Sequence, residues 1–186
     1  MKLRLSIVLL AAAAGTTAGQ SVEVAPRAAS PAAVDALSAI DFLPTTATLT
    51  TVLQGNLQTL VDIAESDIDP GVRLRAYRSL GLFDTDVTRA ALVTTIDGYR
   101  TAREGTELLH LIAAVEALGQ VGRDSAVPVL APLLDAESRD LRATTARALG
   151  VTKAGAACAP LRARQSQEPT GQVRIAIDTA IASVCP

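Results

Sequence analysis

One histidine and two cysteines are the side chains of this chain best equipped for chemistry. His110 could serve as a general base or as a metal ligand. Either role needs partners. No nucleophile motif accompanies it. A zinc site built from one His and two Cys would need a carboxylate as its fourth ligand, at spacings that match no familiar zinc pattern. His110 also falls on a core-facing helical position, where a hydrogen-bonded, buried imidazole is the plainer reading. The short GQVG run from Gly119 to Gly122 reads as an interhelix turn rather than a phosphate cradle. We expect no catalytic centre, no metal site and no cofactor.

Cys158 and Cys185 carry more information. The chain begins MKLRLSIVLLAAAAGTTAG, with two cations, an apolar run from Leu5 to about Ala14 and small residues before a cleavage point at Ala18 or Gly19. This is the pattern of a secretory signal peptide, and the run is shorter than the ~20 residues that a spanning helix needs. Residues 1–19 are therefore expected to direct export to the periplasm or the extracellular space, with no integral membrane segment afterwards. Two cysteines in an exported chain favour a disulfide, and the absence of Cys-x-x-Cys weighs against the alternative of a redox-active pair. Free thiols are the remaining alternative. An antiparallel hairpin about Glu168–Gly171 would place Cys158 ten residues before the turn and Cys185 fourteen after it. That offset, about 6 Å along a helix axis, closes only if the C-terminal residues bend back.

Charge and composition exclude several classes of partner. Loss of Lys2 and Arg4 with the signal moves the formal net charge from −2 to −4, and charges of both signs are interspersed. Nucleic-acid binding requires clustered positive charge, which is missing. Phe42, Tyr77, Phe83 and Tyr99 are the whole aromatic complement, so stacking platforms for sugars or bases are nearly excluded.

The elements that must position these residues are helices. Residues 20–29 form an Ala-, Pro- and Ser-rich lead-in, and residues 30–186 one domain. Ser30-Pro31 reads as a helix start, with the helix running to Leu43 and stopped by Pro44. Apolar residues then keep a three-to-four spacing through to Val184. Only TATLTTVL, from Thr46 to Leu53, is Thr-rich enough to suggest a strand. A Leu-Gly pair ends VRLRAYRSLG, HLIAAVEALG and DLRATTARALG, and VRIAIDTAIA carries a blurred copy. Leu80, Leu118, Leu149 and Ile181 mark this register at intervals of 38, 31 and 32 residues, so the first interval holds an insertion, placed between Asp97 and Glu107. Gly81, Gly119 and Gly150 are read as left-handed helix terminators. A period near thirty built from two helices describes a unit that completes its core only against its neighbours.

The stretch Ala126–Gly155 resembles a short HEAT-like repeat, of the kind also found in phycobilisome-lyase-type proteins. In such repeats a first helix leads through an acidic turn to a Val-Arg pair and an Ala-Leu-Gly ending. The resemblance covers roughly Asn56 to Val184 and implies an all-α, right-handed α-α superhelix of about four hairpins. It also implies that Arg73, Arg142 and Arg174 are structural and pair with acidic residues of a neighbouring repeat. Leu111 stands where the second unit's arginine would be. The His-Glu steps of di-iron HEAT-repeat hydroxylases are absent.

Counting each second helix from its Val-like residue as zero, position two reads Leu74, Ile112, Ala143 and Ile175, and position six reads Arg78, Glu116, Arg147 and Thr179. Both lie away from the core-facing side. In HEAT-like solenoids the second helices line the concave surface, so these rows would form one stripe. In the plainer reading flanking repeats cover Leu74, Ile112 and Ile175; the functional reading is a groove suited to a peptide or partner helix. The candidate binding residues are Arg75, Arg78, Ile112, Glu116, Arg147 and Ile175. The expected function is that of an exported, non-catalytic scaffold for a protein or peptide partner. The alternatives are a chromophore-lyase-like accessory or ligand-binding protein, and a purely structural envelope protein.

Overall fold

The computed structural model describes residues 30–39 and 43–186; the expected signal peptide and lead-in lie outside them. The described residues form an all-α helical repeat superhelix and contain no strand. Its helices are α1 (Pro31–Ser38), α2 (Thr46–Leu53), α3 (Gln58–Glu65), α4 (Pro70–Leu80), α5 (Asp86–Tyr99), α6 (Gly105–Val121), α7 (Arg123–Leu130), α8 (Arg139–Thr152), α9 (Cys158–Gln165) and α10 (Gly171–Val184). Short 3-10 stretches at Ala131–Asp135 and Gly155–Ala157 prolong α7 and lead into α9. Four hairpins, α3/α4, α5/α6, α7/α8 and α9/α10, stack in order, with the second helices packed α4 on α6 on α8 on α10. At the N-terminal end α1 packs on α4 and continues that row.

Local chemistry explains the helix starts. Asp69 Oδ1 accepts from the backbone N–H groups of Gly71 and Val72, ahead of Pro70 in the first turn of α4. Thr85 and Thr88 form a capping box on α5, and Ser138 caps α8 through the N–H of Leu141. The Thr-rich segment that could have been a strand is helix α2. Thr45 caps it through Thr48 N–H, Thr50 and Thr51 donate to the carbonyls of Thr46 and Ala47, and Leu49 and Leu53 are buried. Those hydrogen bonds and one buried face outweigh the weak helix propensity of threonine. Helix α1 stops short of the expected Leu43, because Ala39 already leaves it in an extended conformation at ψ 126. Residues 40–42 of that expected helix lie outside the described residues.

The insertion is spent on helix rather than loop. Position zero is the third residue of α4, α8 and α10, whereas His110 is the sixth of α6, which thereby gains about a turn. Its partner α5 runs 14 residues, against 8 in α3, α7 and α9.

The glycines do not terminate helices as expected. Gly119 and Gly150 lie inside α6 and α8, and Gly81, which ends α4, is right-handed at φ −64. Their role is to let helices approach. A Cβ on Gly81 would sit 2.9 Å from Ala117 Cα, on Gly119 2.8 Å from Ala148 Cα, and on Gly150 3.0 Å from Ala180 Cα. In each case position nine of one second helix meets position seven of the next, and that position is alanine. In α10, the last helix described, the copy is blurred: Ala182 is exposed in place of the glycine, and Asp178 replaces Tyr77, Val115 and Ala146 at position five.

Cys158, the first residue of α9, is joined to Cys185, which steps out of α10 in an extended conformation, with Cα atoms 5.2 Å apart. The bridge ties the open end of the last hairpin. For its 27-residue separation, chain entropy assigns it about 3 to 4 kcal/mol.

Substitution Gly119→Ala should lower the free energy of unfolding by about 1 to 3 kcal/mol, because the obstacle is backbone. Gly98→Ala, within α5 and facing open space, should raise it by roughly 0.5 to 1 kcal/mol through helix propensity alone. Urea unfolding of the two variants checks the opposite signs.

Candidate protein-binding face

The register of the second helices decides which side chains they show to solvent. Positions four and eight turn toward the first helices, while position nine of one second helix meets position seven of the next. Positions two, six and ten remain, one turn apart on each helix. On α4 these are Leu74, Arg78 and Leu82; on α6, Ile112, Glu116 and Gln120; on α8, Ala143, Arg147 and Val151; on α10, Ile175, Thr179 and Ser183.

This row brings together most of the candidate binding residues and grades them. Arg78 and Glu116 form an ion pair between α4 and α6 at 3.5 Å. Arg147 is exposed and donates to Thr144 Oγ1 at 3.0 Å. Ile175 is 68% exposed. Leu74 and Ile112 are only partly buried against the core, and Ala143 is buried. Neighbouring repeats therefore cover the apolar row except at α10, the last of the described helices. Arg75 is the exception among the candidates: it turns toward α1, donates to the carbonyl of Leu37 at 3.2 Å and helps to seat that helix.

Sequence reasoning missed the residues at position ten. Leu82 is 41% and Val151 53% exposed, and a step of four beyond position six would have found both. Leu82 borders a cavity of about 540 Å³ with Leu43, Pro44, Thr45, Thr46, Arg78, Glu116, Ala117 and Gln120. The connection between α1 and α2 forms one wall and the C-terminal turns of α4 and α6 the other. The site thus has aliphatic walls with one ion pair at its edge.

Stacked hairpins of this length, in register at small residues and presenting one row of second helices, define the architecture. Residues 102–182 match the family model for HEAT repeats. No curated protein matches the chain. The HEAT match begins at the segment before α6 and ends within α10, although α4 keeps the same register upstream of it.

The arginines of the repeat units differ from the ladder expected of them. In every unit that has one, the arginine reaches back to carbonyls at the end of its own first helix or the turn after it. Arg73 Nε donates to Ala64, Arg142 Nη1 to Ala136 and Glu137, and Arg174 Nη1 to Glu168 and Pro169. Pairing with an acid of the next repeat holds for Arg142 alone, which grips Glu168 through Nε at 2.8 Å and Nη2 at 2.9 Å. Arg164 adds a second contact to the same carboxylate at 2.7 Å. The Glu168 side chain is fully buried, and hydrogen bonding from Arg142 holds its carboxyl far below the usual range. Arg73 instead donates to the phenol of Tyr99, a residue supplied by the lengthened α5.

His110 stands beside that phenol, 1% exposed. Its Nε2 lies 3.3 Å from the Pro70 carbonyl, which can only accept, so Nε2 carries the proton. Its ring lies 5.3 Å from that of Tyr77 and 6.1 Å from that of Tyr99. Burial lowers the affinity of the imidazole for a second proton, and Arg73 acts in the same direction. His110 thus closes the first seam between second helices as a neutral hydrogen-bond donor. Among the described residues no cluster of three His, Cys, Asp or Glu side chains could hold a metal ion.

These two groups give acid destabilisation two stages. An imidazole whose folded-state pKa is depressed favours the fold above its ordinary value of 6.5 and loses that contribution as pH falls below it, since the unfolded chain then binds a proton that the fold refuses. Glu168 behaves likewise, from its ordinary value of 4.5 downward. Unfolding free energies measured from pH 7.5 to 3 should fall in both windows. The variant His110→Gln, which can still donate to Pro70, should abolish the upper stage and keep the lower one.

Proposed function

We propose that the chain is an exported, non-catalytic scaffold that binds a protein or peptide segment on its row of second helices, which would line a concave surface. The observation that carries this reading is the row itself. Leu82, Val151 and Ile175 stay exposed on it beside the Arg78–Glu116 pair, although the adjoining second-helix residues are buried. A contiguous row of aliphatic and charged side chains along parallel helices suits an extended segment or a partner helix. HEAT repeats generally mediate contacts between proteins. Export is supported by the signal-like N-terminus and is compatible with the Cys158–Cys185 bridge. Among the described residues no helix is long and apolar enough to cross a membrane.

A photo-crosslinking amino acid placed at Leu82 or Val151 should form an adduct with one partner in the exported fraction of the native host. The same group at Leu109 or Val87, which are exposed apolar residues off this row, should form none. Equal labelling from all four positions would remove the assignment of the face, and labelling from none would remove the scaffold reading.

A further inference from the structure

The exposed row has an uneven charge pattern. At position six it reads Arg78, Glu116, Arg147 and Thr179, two cations around one anion. Because position nine of each second helix meets position seven of the next, a residue at position six stands level with position four of its neighbour. Positions two and six of that neighbour then flank it, each about 3 Å along the axis. Glu116 accordingly lies within reach of Arg78 on one side and faces Arg147 on the other. It pairs with Arg78 at 3.5 Å, while Arg147 has no ion pair among the described residues and donates to the hydroxyl of Thr144.

Arg147 has exposed aliphatic neighbours as well as Thr144 and Thr179. Val151 lies one turn further along α8 and is 53% exposed. Ile175 lies across the α8–α10 seam, one interhelical spacing of roughly 8 to 10 Å away, and is the most exposed of the large apolar side chains described. A guanidinium that makes no ion pair among the described residues, beside two exposed aliphatic side chains, is complementary to one kind of segment. A polyanion is a poor match, because Arg78 is already paired and a single open cation cannot track a phosphate backbone.

Resting on the reading of this row as a protein-binding face, we infer that Arg147 is its electrostatic anchor. Its partner is a peptide segment that presents an aspartate or glutamate to Arg147 and flanking aliphatic side chains to Val151 and Ile175. The guanidinium offers a planar, bidentate fit to a carboxylate. Glu116, about 3 Å off level, repels a misplaced acid and so sets the register of the segment.

The test uses a random dodecamer peptide library displayed on phage and selected on the folded, disulfide-bonded chain, with Arg147→Gln and Arg162→Gln selected in parallel. Arg162 is an exposed arginine on α9, outside the row. The expected result is enrichment of sequences with one acidic residue among Ile, Leu or Val. A selected peptide should bind Arg147→Gln roughly 10- to 100-fold more weakly, the worth of a charged hydrogen bond, and should bind Arg162→Gln as it does the parent. Enriched sequences without an acid, or acidic ones that bind Arg147→Gln undiminished, would overturn the role of Arg147. If those sequences still competed with one another and lost binding on Val151→Asp, the scaffold reading would survive. Enrichment of nothing above the starting library would overturn both.

Discussion

Each second helix comes into backbone contact with the next at a single glycine. Gly81 lies on Ala117, Gly119 on Ala148 and Gly150 on Ala180, at separations that leave no room for a side chain on the first residue and little on the second. Interior packing tolerates no such gap being filled or opened by a methyl group without cost. These contacts fix the axial offset between successive helices, and the offset in turn decides which side chains are covered. Core positions are buried between hairpins, and positions two, six and ten are left as one row.

The ends of the stack follow from the same constraint. At α10, the last helix described, Ala182 stands where the other second helices have glycine, and Asp178 lies one turn before it. The Cys158–Cys185 bridge ties the open end of its hairpin covalently. At the other end α1 is seated on α4, and Arg75 reaches its final turn at Leu37. The buried Glu168, held by Arg142 and Arg164, links the last two repeats through a charge that is stable only because two guanidinium groups surround it. At the seam between the first and second units, Tyr77, Tyr99 and His110 pack together beside Arg73.

Much of this was legible in the sequence, because stacking repeats write their period into the chain. The Leu-Gly register could be read from spacing, the four hairpins from the resemblance it carries, and the cysteine pair from the signal-like N-terminus. The role of the glycines could not. Local rules assign a glycine near a helix end to a left-handed cap, and only the neighbouring helix reveals that Gly119 and Gly150 are interior residues under a backbone. The arginines misled for a similar reason: their shared partner is the carbonyl end of their own first helix, which no side-chain pattern announces. TATLTTVL looked half like a strand because threonine propensity carries no record of the hydroxyl-to-carbonyl bonds that support α2. At the binding face, positions two and six were visible as a stripe, whereas Arg75 was not separable from it until α1 was in place.

The functional reading rests on that packed offset, since it sets which side chains of α4, α6 and α8 are covered. Its most direct test is a nuclear Overhauser experiment on protein labelled at alanine methyls and glycine α-carbons. Strong cross-peaks should join the Hα protons of Gly81, Gly119 and Gly150 to the methyls of Ala117, Ala148 and Ala180 respectively. Their absence, or cross-peaks from these glycines only to side chains of their own helix, would contradict the stacking and the exposed face built on it.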